Sequence, residues 1–295
     1  MSTAAIVQAQ PSVAAAYVQL TKPRITLMVV LTTLVGFTEG SSRSGSADLV
    51  LLLHTLGGTA LVAAAAAALN QWMERGPDAL MRRTVSRPLP AGTLTSAQAA
   101  TFGFVLLVTG SAWLAAFANF LASATALLTA ASYLLLYTPL KRRSWTATIV
   151  GAVPGALPPV IGWAAARGAV EPGAIALFLM LFLWQMPHFY AIAALYRDDY
   201  ARGGYRVLSV VEPDGVSTAR QAFAWATILL PVSLLPPFIG MASYWYLAVA
   251  LPLGLIFLAS SLHFLMAPAE MPRARSLFRW SLLWLPLVFL TLVVV

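Results

Sequence analysis

The sequence predicts an all-α polytopic membrane protein, a single bundle of about nine transmembrane helices with its N-terminus cytoplasmic. Three observations carry that expectation. Of 295 residues, 60% are hydrophobic and only 9% charged, at a mean hydropathy of +0.80. A soluble domain needs roughly 25% charged residues to dress its surface. Apolar runs of about 20 residues, the length that crosses a bilayer, recur along the whole chain. The basic residues alternate with these runs as the positive-inside rule requires.

The runs are, in order, 24–40, 49–72, 97–117, 119–137, 147–166, 173–196, 219–240, 245–266 and 277–294. The first is short, and only a tight turn near Ala118–Asn119 separates the third from the fourth. Residues 1–21 hold no lysine or arginine ahead of an apolar core, so they read as a cytoplasmic tail and not as a cleaved signal peptide. Within that tail, Pro11 to Leu20 are expected to form a short interfacial helix. Residues 22–295 then make one transmembrane domain. With this arrangement every basic residue except Arg43 and Arg167, of 18 in all, falls on the inner side. A missed or extra helix would scramble that division.

The formal charge of +8 therefore reads as topology and attraction to anionic lipid, with no nucleic-acid partner. Cysteine is absent, which excludes disulfides, thiolate metal sites, covalent c-type haem attachment and cysteine nucleophiles. The longest segments outside the runs, about 73–96 and 197–218, follow the second and sixth runs on the inner side. That offset hints at a repeat of two four-helix units plus a last helix.

Those two segments gather the acids. In NQWMERGPDALMRRTVSRPLP (70–90), Asn70, Glu74 and Asp78 follow one another at four-residue steps, which share one face of a helix with a rise of roughly 6 Å each. Pro77 lacks an N–H and crowds the carbonyl four residues back, so the helix is expected to break near Arg75 and fold Asp78 over the site from a loop. Amide and carboxylate oxygens so arrayed suit Mg²⁺, which binds through one or two carboxylates and takes phosphate oxygens for the rest. Arg82, Arg83 and Arg87 offer fork-shaped donors to phosphate, and Lys141 in YTPLKRR brings another cation to the same side. The bland alternative is a stop-transfer boundary, the better reading for Arg87 or Arg143 alone.

In WQMPHFYAIAALYRDDYARGG (184–204), Asp198 and Asp199 close the sixth run as Asn70 and Glu74 close the second. Two acidic clusters on one membrane face suit two Mg²⁺ ions across one diphosphate; the alternative is an Arg197–Asp–Arg202 surface network. His188, just after Pro187, lies deeper in its run, where a histidine is a functional-site candidate by default. It would serve as metal or haem ligand or proton donor, or else hydrogen-bond a carbonyl freed by Pro187. His54 and His263 read as structural residues, with haem contact left open.

These stretches, together with GALPPVIGWAA, resemble the UbiA-type intramembrane prenyltransferases. PHF followed by DDYARGG is similar to their haem O synthase (protoheme IX farnesyltransferase) branch. The resemblance implies transfer of farnesyl from farnesyl diphosphate to a vinyl group of haem B, with water completing a hydroxyethylfarnesyl group to give haem O. It implies Mg²⁺ as cofactor, with Asn70, Glu74 and Asp78 as the first catalytic metal–diphosphate motif and Asp198 and Asp199 as the second. Arg82, Arg83, Lys141 and Tyr137 would bind the diphosphate, and His188 is the haem-site candidate. The implied setting is a bacterial inner membrane with the active face cytoplasmic, and a haem A synthase as recipient of the product. Two departures stand out: Asn and Glu in the first motif where the superfamily more often has aspartates, and YRVLSVV after Gly204 where many relatives carry Pro-Met-Leu-Pro. A prenyltransferase acting on a quinone precursor and a membrane transporter remain the alternatives. Against transport, the acids gather on one face and not in mid-span, where a proton relay needs them.

Overall fold

The computed structural model describes residues 12–42 and 48–295, so Arg43 and the first eleven residues of the expected tail lie outside it. The described residues are helical throughout, with no strand. The order is α1 (Val13–Leu20), α2 (Pro23–Ser42), α3 (Leu49–Leu80), α4 (Ser96–Phe117), α5 (Phe120–Ala131), a π-helical turn (Ser132–Tyr137) running into α6 (Thr138–Leu140), α7 (Ala147–Ala156) and α8 (Pro158–Arg167). Then follow α9 (Pro172–Leu195), α10 (Arg197–Arg202), α11 (Leu208–Val211), α12 (Val216–Ser233), a 3-10 turn (Pro236–Ile239), α13 (Tyr246–Met266) and α14 (Met271–Val294).

Among the described residues, eight helical stretches are long and apolar enough to cross a membrane. The ninth expected span, over 219–240, is the 18-residue α12, which falls outside that set. Arg220 and Gln221 lower the apolar character of its first turns, and Leu234 closes it before the 3-10 turn. It still packs inside the bundle, between α9 and α13.

Helix ends follow from local chemistry. Asp48 caps α3 by accepting from the N–H groups of Val50 and Leu51 at 2.9 and 3.0 Å, and Thr95 with Gln98 forms a capping box on α4. At the tight turn between α4 and α5, Asn119 accepts from Ala122 N at 2.8 Å and donates to Ala164 O at 2.8 Å, pinning the turn to α8.

Small residues let the backbones close up, as they do between helices in lipid. A Cβ on Gly36 would stand 1.8 Å from Pro159 O, and one on Gly162 would stand 2.0 Å from Thr33 O, so α2 and α8 touch along their backbones. One large apolar cluster surrounds α9 with α12, α13 and α14, holding Trp163, Tyr190, Tyr246 and Trp284 in full burial. A second joins α2, α3, α4, α5 and α8.

Most consequential for the site is the length of α3. Its 32 residues extend about 48 Å, well beyond the ~30 Å hydrocarbon thickness of a bilayer. The helix does not break at Arg75. It carries Pro77 within it to Leu80, so Asp78 sits on the helix and not in a loop. Pro77 removes one hydrogen bond close to the helix end, where the intrahelical ladder is already running out. Thr84 separately donates its hydroxyl at 2.8 Å to Asp78 O, one of the end carbonyls that no helical N–H reaches.

Candidate active site

Continuation of α3 brings Asn70, Glu74 and Asp78 onto one face, one turn apart, and all three are buried. Each is met by a cation from elsewhere in the chain. Lys22 Nζ donates to Asn70 Oδ1 at 2.9 Å, Lys141 pairs with Glu74, and Arg87 Nη1 reaches Asp78 Oδ2 at 2.6 Å. Buried carboxylates need such partners, because an uncompensated charge in a low-dielectric interior is costly.

Lys22 was legible only as a topological charge; its place in the site is new. The C-terminus of α1 is docked on α3 by Gln71 Nε2, which donates to Leu20 O at 2.9 Å. Lys22 then turns the chain with φ 47°, alone among the described non-glycine residues in that region. Such a conformation costs on the order of 1–3 kcal/mol and concentrates at functional sites. Burial pushes its ammonium down to about 7, and the neighbouring Arg87 charge acts in the same direction.

An ammonium can only donate, so the atom of Asn70 facing Lys22 is its oxygen. The amide NH₂ accordingly points the other way, donating to Glu74 Oε2 at 2.9 Å and Thr138 Oγ1 at 3.1 Å. Thr138 follows the π-helical turn, a feature frequent at functional sites, and Tyr133 and Tyr137 project from that turn with ring centroids 5.5 Å apart. Lys141 Nζ sits 4.7 Å from the Tyr137 ring centre and 5.3 Å from that of Tyr205.

The second acidic motif reaches the first through the backbone. Asp199 accepts from Arg82 N and Arg83 N at 3.3 Å each, and it pairs with Arg202. Burial works to raise its carboxyl, yet the Arg202 guanidinium and the two N–H groups hold it below the ordinary carboxylate range. Arg83 lies over Tyr196 and Tyr200, 5.1 and 5.8 Å from their ring centres. Asp198 points elsewhere. It is exposed, lies 3.4 Å from Arg197, and lines with Asp199, Arg202, Ser209 and Asp214 a cavity of about 570 Å³.

Whether this donor set suits Mg²⁺ is decided by Glu74 and Asp78. Among the described residues no three His, Asp or Glu side chains converge as a self-sufficient metal cage. A diphosphate-bound Mg²⁺ needs only one or two carboxylates. Asp78 Oδ1 is buried without a hydrogen-bond partner, and Glu74 stands one turn away, so the residues fit such an ion. Asn70 Oδ1, by contrast, is occupied by Lys22.

His188 is half-buried in α9, about two turns from its end. Its Nδ1 lies 2.7 Å from Ser281 Oγ on α14, and its ring stacks on Trp184 at 4.9 Å and tilts against Phe278 at 5.2 Å. Its partner is thus a serine hydroxyl, not a carbonyl freed by Pro187. His54 stacks on Phe117, centroids 4.7 Å apart, while His263 is exposed at the end of α13.

The model of the UbiA prenyltransferase family matches residues 29–283. The chain is 47% identical over 280 residues to a protoheme IX farnesyltransferase of Solibacter usitatus (strain Ellin6076), covering 92% of this chain and 96% of that one. It is 40% identical to the protoheme IX farnesyltransferase of Aquifex aeolicus (strain VF5), covering 98% and 97%. Among solved structures, a digeranylgeranylglyceryl phosphate synthase superimposes with a TM-score of 0.80 at 18% identity, over 96% of this chain and 98% of that one. A UbiA homologue from Archaeoglobus fulgidus bound to DMAPP and Mg²⁺ gives 0.67 at 19% identity, over 95% and 99%. These structures share the fold; the sequence relatives share far more. An all-helical membrane bundle with a buried acidic face ringed by lysine and arginine, matched over nearly its whole length by such relatives, belongs to the UbiA prenyltransferase family.

Proposed function

We propose that the protein transfers the farnesyl group of farnesyl diphosphate to a vinyl group of haem B, giving haem O and diphosphate. The observation that carries this reading is the α3 face, where Glu74 and Asp78 lie buried among Lys22, Arg87 and Lys141 at the end of an apolar bundle. A diphosphate on an apolar chain matches that division: charge at the helix end, hydrocarbon among the helices.

Glu74 and Asp78 would hold Mg²⁺, which when bound supplies neutralising charge to the diphosphate oxygens. The remaining work falls to side chains. Lys141, Arg82 and Arg83 bind the diphosphate, and Tyr137 seats the Lys141 ammonium. Because these cations are fixed in place before reaction, they bind the growing charge of the leaving group more strongly than the ground state. The farnesyl C1–O bond breaks and its electron pair leaves with the diphosphate. The vinyl terminal carbon supplies the pair for the new C–C bond, and water adds to the adjacent carbon with loss of a proton.

Asp199 acts by holding the Arg82–Arg83 backbone, while Asp198 stays outside the reacting cluster. Asn70 orients Glu74. His188, on a shelf with Trp184 and Phe278, faces the flat porphyrin. The reaction takes place at the cytoplasmic face of a bacterial inner membrane, and the product passes to a haem A synthase.

The test is mass analysis of haem after incubating the purified protein with haem B, farnesyl diphosphate and Mg²⁺. A haem heavier by one farnesyl group and one hydroxyl group is expected. Unmodified haem, with farnesyl transferred to a phenolic acceptor in a parallel incubation, would overturn it.

A further inference from the structure

Beside the acidic face, rings and cations alternate in a row. Tyr137 and Tyr205 flank the Lys141 ammonium at 4.7 and 5.3 Å, Tyr205 meets Tyr200 edge-on at 5.9 Å, and Tyr200 and Tyr196 hold the Arg83 guanidinium at 5.8 and 5.1 Å. Tyr137 belongs to the YTPLKRR stretch, Tyr196 and Tyr200 to the second acidic motif, and Tyr205 follows that motif directly. Tyr205 opens the YRVLSVV segment that follows Gly204.

The backbone is built to deliver Tyr205. Gly204 adopts φ +69°, which a side chain would strain, and so reverses the chain after α10. Tyr205 N then bonds Tyr200 O at 2.9 Å, and Arg206 N bonds Lys141 O at 2.8 Å, tying this turn to the residue whose ammonium the ring covers. The ring is only 3% exposed.

We propose that Tyr205, with Tyr200 and Tyr196 behind it, is a positioning residue that keeps Lys141 and Arg83 aimed at the diphosphate. The need for it follows from the pairing in the site. Lys141 is held by Glu74, and if Glu74 turns to a metal ion the ammonium loses its carboxylate. Ring faces attract a cation without competing for it as an anion would, so Lys141 stays in place yet free to bind phosphate oxygen. The inference rests on the diphosphate reading above.

The test is calorimetric binding of inorganic pyrophosphate, with Mg²⁺, to the full-length protein in detergent. Tyr205→Leu is expected to weaken binding about tenfold, and Tyr205→Phe, which keeps the ring and removes the hydroxyl that bonds Glu74, to restore most of that loss. Tyr205→Leu binding as tightly as wild type would overturn the proposal, as would Tyr205→Phe binding as weakly as Tyr205→Leu. If Tyr205→Leu fails to accumulate, Tyr196→Leu, at an exposed ring under Arg83, carries the same test with an expected loss of about threefold; unchanged binding there overturns the proposal equally. Wild-type protein that binds no pyrophosphate at all overturns the diphosphate reading itself, and this inference with it.

Discussion

Lys22 donates to Asn70 Oδ1 at 2.9 Å, and this bond fixes which way the amide of the first acidic motif faces. With its oxygen taken, Asn70 offers only its NH₂ to Glu74 and Thr138. Two residues 48 positions apart thus set the orientation of a carboxylate one turn further along α3.

Replacing Lys22 by Met should therefore slow farnesyl transfer by about 10- to 100-fold, the range of a lost charge-assisted hydrogen bond. The amide would be free to flip, and one positive charge would leave the diphosphate site. Initial rates of haem O formation measure this. Rates within twofold of wild type would remove Lys22 from the site.

The crossing of α2 and α8 gives a prediction about stability. Gly36→Ala would drive a methyl group to 1.8 Å from Pro159 O, a backbone atom that cannot swing aside, and overpacking of this kind costs about 1–3 kcal/mol or more. Gly57 in α3 has nothing within 4 Å of a built Cβ, so Gly57→Ala should be neutral or stabilising by up to about 1 kcal/mol. Thermal unfolding in detergent compares the two. Equal melting temperatures for both variants would contradict the close-contact explanation.

Much of this molecule was readable from its sequence, for identifiable reasons. Hydrophobic runs report lipid contact residue by residue, so eight spans stand close to where the runs lie. Four-residue spacing likewise placed Asn70, Glu74 and Asp78 on one face. The expected break at Pro77 failed because a local rule does not see what holds Asp78 from further along the chain: Thr84 bonds its carbonyl, and Arg87 bonds its carboxylate. Arg87 itself read as a boundary charge for the same reason. Lys22 and Tyr205 were missed because their partners lie far off in the chain. Asp199 accepts from Arg82 and Arg83, 117 and 116 residues away, a tie that no spacing within the DDYARGG stretch records.

His188 separates two roles in one variant. His188→Ala removes a ring stacked between Trp184 and Phe278 and bonded to Ser281. If the ring faces the porphyrin, haem binding should weaken about tenfold while pyrophosphate binding stays within twofold, because the acidic face is built by other elements. Haem titration and pyrophosphate calorimetry on the same preparation check this. Unchanged haem affinity with a lowered melting temperature would leave His188 as a purely α9–α14 contact.

Glu74 and Asp78 are the proposed seat of diphosphate chemistry, and Asp78 gives the sharper test because its buried Oδ1 has neither hydrogen bond nor ion pair, whereas Glu74 Oε1 meets Lys141. Asp78→Asn keeps the shape and removes the charge. The decisive measurement is the single-turnover rate of haem O formation in this variant and in wild type, each with Mg²⁺ and with excess chelator. Transfer should fall by at least about a thousandfold in the variant, and wild type should lose its activity in chelator, while the variant stays folded, with a lowered melting temperature because Arg87 loses its carboxylate partner. Full activity in Asp78→Asn, or undiminished wild-type activity in chelator, would contradict the assignment of this face to the metal and diphosphate.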